Sequence, residues 1–256
     1  MFRYPTLPKS MLDHLYNQGS EEAWVTPSEQ RVDWALARAA LAKWGKSGSI
    51  LDIGCYDGRF LLSLSAGWKR HGVELNHAAA ARAATAGISI VGTDFASLAT
   101  FEGRFDAVTA FDVIEHVENP AKLLGECATV LRPGGLLIIA TGNARSLPWR
   151  LLRSRNMYCI CPEHLAFVSP QWCANIAPSV GLEIVSVLPY RRVERPLFAR
   201  AFDVIKSAVY SLSPSAIAFL RRRGVGRLSH PVKVDYPPLW PSARDHFLAV
   251  FRKTHA

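Results

Sequence analysis

The chain has 256 residues, 49% of them hydrophobic and 20% charged, which is enough apolar material for a substantial core and excludes both a disulfide-stapled miniprotein and a wholly disordered chain. Its net charge of +9 is unevenly placed: residues 1–140 carry 13 basic against 15 acidic side chains, and residues 141–256 carry 17 against 6. Residues 191–233 alone hold 10 basic and 2 acidic side chains, so nearly all the excess belongs to one late segment.

Residues 1–27 hold turn residues with little periodicity and read as a partly ordered arm. Ser28 is a helix-capping residue, and Val32, Ala35, Leu36, Ala39 and Ala40 then recur at helical spacing until Gly45. From Ser49 the rhythm becomes one of alternating strands and helices. Strands are predicted over 49–53, 70–75, 88–91, 105–111 and 136–140, and helices over 59–66, 77–86 and 120–131. Apolar strands alternating with helices of this length predict right-handed βαβ units and a doubly wound α/β sheet, mostly parallel.

Beyond Thr141 the pattern loosens. Residues 142–168 read as a lid with one helical turn, and Ser169 caps a helix from Pro170 to Val180, which Gly181 stops. Strands over 182–188 and 246–251 predict an antiparallel hairpin at the sheet edge, with a helical insertion between them. In that insertion Leu197, Phe198, Ala201, Phe202, Ile205, Ala208, Val209 and Leu212 recur at three and four, an amphipathic helix that Ser213-Pro214 ends. Residues 216–220 follow and lead into Arg221-Arg222-Arg223. The expected organisation is an amino-terminal arm and helix (1–47), a core (48–190) with its lid at about 142–168, a basic amphipathic insertion (191–244) and a final edge strand (245–256).

The longest apolar stretch, residues 197–220, is interrupted by Arg200, Asp203, Lys206 and Pro214 and makes a poor membrane span. Three readings of the insertion follow. It is a helical cover over a substrate pocket, a surface helix that meets an anionic membrane through 197–223, or, least favoured, an RNA-phosphate contact, since no RNA-binding module accompanies it. The five cysteines, Cys55, Cys127, Cys159, Cys161 and Cys173, are an odd number in a chain that opens without an apolar signal region, which points to a reduced, cytoplasmic compartment, peripheral to the inner face of a membrane if the surface helix is real.

The chemistry concentrates in Leu51-Asp52-Ile53-Gly54-Cys55-Tyr56-Asp57-Gly58-Arg59-Phe60, where a strand turns through two glycines into a helix and leaves room for a ligand against the backbone. Glu74 lies 20 residues after Gly54, where an acidic side chain in such folds meets ribose hydroxyls. Asp94 and Asp112 follow the next two strands. Four acidic residues at four successive strand ends converge on one crevice at the switch point of the sheet. The turn reads Gly54-x-x-x-Gly58 and lacks the pyrophosphate fingerprint of a dehydrogenase, which remains the competing reading.

These segments, with GTDF, FDAVTAFDVIEHVENP, LRPGGLLIIATGN and PEHLAFVSPQWCANIAPSVGLEIV, resemble the class I S-adenosylmethionine-dependent methyltransferases, in particular the group that includes the ubiquinone-biosynthesis O-methyltransferases. The resemblance runs from about Gly48 to Leu188, leaving out the arm and the insertion. It implies a Rossmann-like fold and S-adenosyl-L-methionine as cofactor. It further implies that Asp52, Gly54, Cys55 and Gly58 surround the methionine part, that Glu74 takes the ribose hydroxyls, that Leu75 lies beside the adenine, whose amino group Asp94 reaches and whose ring Phe95 flanks, and that Phe111 and Asp112 line the floor near the sulfonium. Cys55 departs from the commoner glycine. A small-molecule acceptor is expected, methylated at oxygen and hydrophobic or lipid-linked; an RNA methyltransferase and a non-catalytic cofactor-binding protein are the alternatives.

An oxygen acceptor of high pKa needs a base, and His116 and His164 are the two candidates. Each has a structural alternative: a helix-start histidine for His116, a lid-positioning one for His164. Cys159, Cys161, His164 and Cys173 fall within 15 residues and suggest zinc, but their spacing departs from the usual C-x-x-C knuckle, so no metal is assigned.

Overall fold

The computed structural model describes residues 1–2, 8, 11, 31–45, 47–223, 236–238 and 240–255. Most of the arm, the capping residue Ser28 and the insertion's residues 224–235 lie outside the described residues.

Helix α1, Val32–Trp44, delivers the chain to strand β1, Gly48–Ile53. One helical turn, α2 (Arg59–Leu62), leads to β2 (Trp68–Val73), and α3 (His77–Thr85) leads to β3 (Ser89–Gly92). A 3₁₀ stretch, Phe95–Thr100, precedes β4 (Phe105–Phe111); α4 (Pro120–Val130) then connects to β5 (Leu131–Gly142). Asn76 caps α3 by accepting from the Ala79 amide, and Asn119 caps α4 by accepting from the Lys122 amide, with Pro120 in the first turn. The strand order is β3-β2-β1-β4-β5-β7-β6, with β6 at Leu182–Tyr190 and β7 at His246–Lys253. All pairs are parallel except those of β7, which runs antiparallel to both β5 and β6. The edge hairpin is thus present, with β7 slotted between β5 and β6. The order reverses between β1 and β4, and their carboxyl ends open the crevice expected of a doubly wound sheet.

Alternation along the strands divides the core into two layers. Leu51, Ile53, Leu137, Ile139, Phe247 and Phe251 face the layer that holds Leu123 and Leu124 of α4. Ile50, Leu136, Ile138, Leu248 and Val250 face the layer built on Ala37 and Leu41 of α1 and on Phe60. Both faces being covered, the strands read as continuous apolar runs.

Several boundaries differ from expectation. Helix α2 stops at Leu62 because β2 begins two residues early, at Trp68, whose ring is buried in the α1 layer. Strand β5 starts at Leu131, which pairs with Phe105; a register shift between Phe105 and Ala107 absorbs Pro133-Gly134-Gly135 within the strand. The lid holds more helix than one turn: α5 (Leu147–Leu152), a 3₁₀ turn (Arg153–Arg155) and α6 (Met157–Ile160), followed by α7 (Pro170–Ile176), which Ser169 caps as expected and which ends as 3₁₀ through Val180. At the start of the chain Phe2 bridges Ala166, and the Phe167 amide donates to the Met1 carbonyl at 2.8 Å, so the beginning of the arm meets the lid.

The insertion folds as α8 (Leu197–Leu212) and α9 (Pro214–Arg222), the latter beginning at Pro214, which fits the first turn of a helix. Helix α8 buries its polar side. Asp203 is fully buried and accepts from Lys206 Nζ at 2.6 Å and Ser242 Oγ at 2.7 Å, while Ser211 Oγ donates to the Leu151 carbonyl at 2.8 Å. Phe198, Phe202 and Leu212 face outward, 78%, 62% and 88% exposed.

Candidate active site

A cavity of about 260 Å³ opens at the carboxyl ends of β1, β2 and β4. Its floor is the turn after β1. Gly54 sits at φ 71°, and a Cβ there would lie 2.7 Å from Val113 Cγ2, so this position requires glycine. Glu74, just past β2, is buried and spans the turn: its Oε2 accepts from the Tyr56 amide at 2.8 Å and its Oε1 from the Asn76 amide at 2.7 Å. Burial pushes its carboxyl above the usual range, and those amides oppose the shift. Asp52, inside β1, accepts from Thr109 Oγ1 at 2.6 Å, and burial pushes its carboxyl up to about 7.

Asp112 follows β4 at φ 53°, a left-handed conformation that an aspartate adopts more readily than most residues. Its carboxylate lies 3.1 Å from Arg31 and 3.3 Å from Arg192. Burial acts to raise its pKa, but the two guanidinium groups outweigh it and hold the carboxyl below its ordinary range. Arg31 also pairs with Asp33, so it is held from both sides.

The next 3₁₀ turn, Ile114–His116, brings a second polar group to the wall. His116 Nδ1 contacts the Glu163 carbonyl at 3.1 Å; since a carbonyl only accepts, Nδ1 carries the hydrogen and the basic lone pair is on Nε2. Burial lowers its pKa from the usual 6.5. His164 packs edge-on behind it, with ring centroids 4.8 Å apart and its own Nδ1 donating to the Tyr158 carbonyl at 2.9 Å. Glu115, wholly buried, accepts from Thr141 Oγ1 at 2.8 Å and from the Tyr158 hydroxyl. Its backbone carbonyl accepts from the amides of Leu165 and Ala166, which fastens the lid to the β4 turn.

Of the residues singled out from sequence, Asp52, Gly54, Cys55, Glu74, Leu75, Phe95, Phe111, Asp112 and His116 line this one cavity. Three do not. Gly58 begins α2 and packs against Ile88; Asp94 turns its carboxylate onto Ser97, accepting from the amide at 3.1 Å and the hydroxyl at 2.8 Å; His164 lies behind His116. Sequence reasoning missed Arg31 and Trp34, which reach the wall from the start of α1, and Arg192, which pairs with Asp112. Arg31 is the extended residue before α1 and Trp34 lies in its first turn; their spacing of three, which the helix expected after Ser28 puts on one face, is the one signal available beforehand.

The helical cover expected over this pocket is not found: among the described residues, α8 and α9 contribute nothing to the cavity wall, because α8 turns its polar side inward onto the lid and Ser242. The zinc arrangement does not form either. Cys173 is sealed in the core, Cys161 Sγ donates to Glu163, and the described residues whose donor atoms come within 4.8 Å of one another are Glu115, His116 and His164.

A family model described as a methyltransferase domain matches residues 27–187. A protein of Ralstonia nicotianae named ubiquinone biosynthesis O-methyltransferase is 31% identical over 167 residues, covering 60% of this chain and 68% of its own. The Thiobacillus denitrificans protein of the same name is 30% identical over 169 residues, covering 60% and 70%. Among solved structures, a SAM-dependent methyltransferase from Thermotoga maritima superposes with a TM-score of 0.59 at 18% identity, over 95% of this chain and all of the other.

Proposed function

Because the chain belongs to the class I S-adenosyl-L-methionine-dependent methyltransferase family, we propose that it methylates an oxygen atom of a small hydrophobic or lipid-linked acceptor, with His116 as the base. The cofactor, S-adenosyl-L-methionine, supplies when bound an electrophilic methyl group on a sulfonium. The cavity suits it: Asp52, Glu74 and Asp112 offer carboxylates to its cationic groups and ribose hydroxyls. Arg31 and Trp34, whose buried indole nitrogen has no partner among the described residues, offer donors to its carboxylate. Glu74 would accept from the ribose hydroxyls while its amide contacts hold it in place. Leu75 and Phe95 would flank the adenine, and Phe111 would pack at the floor.

The observation that carries the oxygen assignment is His116, a neutral, oriented imidazole in the same cavity wall as the cofactor carboxylates. Its Nε2 takes the proton from an acceptor hydroxyl as the oxygen lone pair is aligned with the methyl group, and positioning supplies much of the remaining rate. His164, packed edge-on against His116, and the Glu115–Tyr158 pair position that base. The names of the relatives support oxygen as the acceptor atom, and the outward apolar face of α8 supports a hydrophobic acceptor met at the inner face of a membrane.

The test is methyl transfer to a panel of phenols and catechols with and without prenyl chains, set beside amine acceptors. Transfer to a phenolic oxygen, faster for the prenylated members and slowed in His116→Gln with cofactor binding intact, is the expected result. Methylation of amines alone, or an unaffected variant, would overturn the assignment.

A further inference from the structure

A second and larger cavity, about 540 Å³, lies away from the cofactor site between α5, α8 and residues 240–244. Its charged lining is Arg191, Arg200 and Arg244, with no acidic side chain, and Leu197, Val204 and Trp240 supply apolar wall. The nearest acid on α8, Asp203, is turned away and taken up by Lys206, Arg195 and Ser242. Among the described residues no carboxylate pairs with Arg200 or Arg244, and Arg191 Nε is buried without a hydrogen-bond partner. Glu194 approaches Arg191 at 3.5 Å from the exposed rim. Two guanidinium groups without a carboxylate partner, and a third whose ion pair is with an exposed glutamate, surround one hollow and form a receptor for a phosphate, whose oxygens match their forked donors.

The same helix carries the apolar stripe. Leu197 lines the cavity and is also exposed, and Phe198, Phe202, Ile205 and Leu212 continue outward from it along α8. Arg222 and Arg223 at the end of α9 add to the basic charge of the same insertion. A helix with an apolar outer face beside concentrated basic charge fits the interface of an anionic bilayer. We propose that the cavity takes the phosphate headgroup of an anionic phospholipid while the stripe enters the acyl boundary, so that α8 docks the protein on a membrane by a specific headgroup contact. This rests on the membrane-contact reading above and adds to it a site.

The experiment is flotation of the full chain with vesicles of phosphatidylcholine, alone or with about one third phosphatidylglycerol, in 0.15 M salt. Binding to the anionic vesicles only is expected, and Phe198→Ser with Phe202→Ser abolishes it. The deciding variant is Arg200→Lys with Arg244→Lys, which keeps the charge and removes the forked geometry: a headgroup site predicts about tenfold weaker binding. Unchanged binding by that pair would overturn the headgroup site and leave diffuse attraction, with the membrane contact intact. Absence of any vesicle binding would overturn both. So would displacement of the protein from vesicles by a short RNA that itself binds through these arginines, and occupancy of the cavity by millimolar inorganic phosphate without vesicle binding would overturn the lipid assignment. Retained S-adenosyl-L-methionine binding shows that each variant is folded, since none of these residues lines the cofactor cavity.

Discussion

Helices α4 and α8 carry the same kind of pattern and meet the protein with opposite faces. In α4 the apolar residues Leu123, Leu124, Cys127 and Val130 are buried under the sheet, each leucine worth about 1.5–3 kcal/mol of transfer from water. In α8 the buried residues are Asp203, Ser207 and Tyr210, and the phenylalanines are left outside. The difference lies in what each helix finds below it. Beneath α4 is an apolar sheet face; beneath α8 are Ser242 and the lid's backbone carbonyls, which reward polar partners. The same contrast separates the two halves of the chain: a cofactor half whose carboxylates gather around a crevice, and an insertion that, among the described residues, reaches that crevice through Arg192 while the phenylalanines of α8 face outward.

Substitutions test this division, beginning with the chemistry. His116→Gln should lower kcat by about 10²–10⁴ while leaving cofactor affinity nearly unchanged, the loss typical of removing a general base. In the wild type, activity should fall as pH drops through the pKa of His116, because protonation removes the base; burial sets that inflection below 6.5. An inflection above 6.5, or a variant as active as wild type, removes His116 from that role. For the helices themselves, Leu124→Ala should cost about 2–5 kcal/mol in denaturant unfolding. Phe202→Ala should stay within about 0.5 kcal/mol. Equal losses would break the comparison by showing that the outer face of α8 is covered.

Much of the cofactor half was legible because its signals are local. Gly54 and the acids at 52, 74 and 112 sit at strand ends that periodicity locates, and a parallel sheet brings those ends together whatever the details of the loops. Asp94 shows the limit: it lies at the right strand end, but its own 3₁₀ turn claims the side chain. Arg31 and Trp34 were not legible, because α1 precedes the first strand and reaches the site only through packing. The Glu115–Tyr158 contact joins residues 43 apart through the lid, which carries no periodic signal. In α8 the spacing revealed two faces but not which one turns inward, since periodicity has no sign. The insertion therefore read as a cover over the pocket, whereas among the described residues α8 and α9 do not line it.

The turn after β1 can be probed more finely. Glu74→Ala should weaken S-adenosyl-L-methionine binding about ten- to hundredfold by calorimetry, the range for hydrogen bonds to a charged acceptor, and should do the same to S-adenosylhomocysteine, which shares the ribose. A loss confined to one of the two ligands would contradict a ribose contact.

Asp52 gives the smallest effect and the most specific one. Burial holds its carboxyl at about 7 against an ordinary 3.8, so its ionised fraction rises across the range from pH 6 to 8. A carboxylate attracts a sulfonium and is indifferent to the neutral thioether of the demethylated product, whereas a carboxylic acid favours neither by charge. The ratio of affinities for S-adenosyl-L-methionine and S-adenosylhomocysteine should therefore rise with pH across that window, by less than about tenfold, equivalent to one unit of pKa displacement on binding. Asp52→Asn keeps an acceptor for Thr109 but cannot ionise, and its ratio should stay flat from pH 6 to 8. A wild-type ratio that is equally flat would mean that Asp52 does not reach the sulfonium, and its burial in β1 would then serve the strand through Thr109 alone.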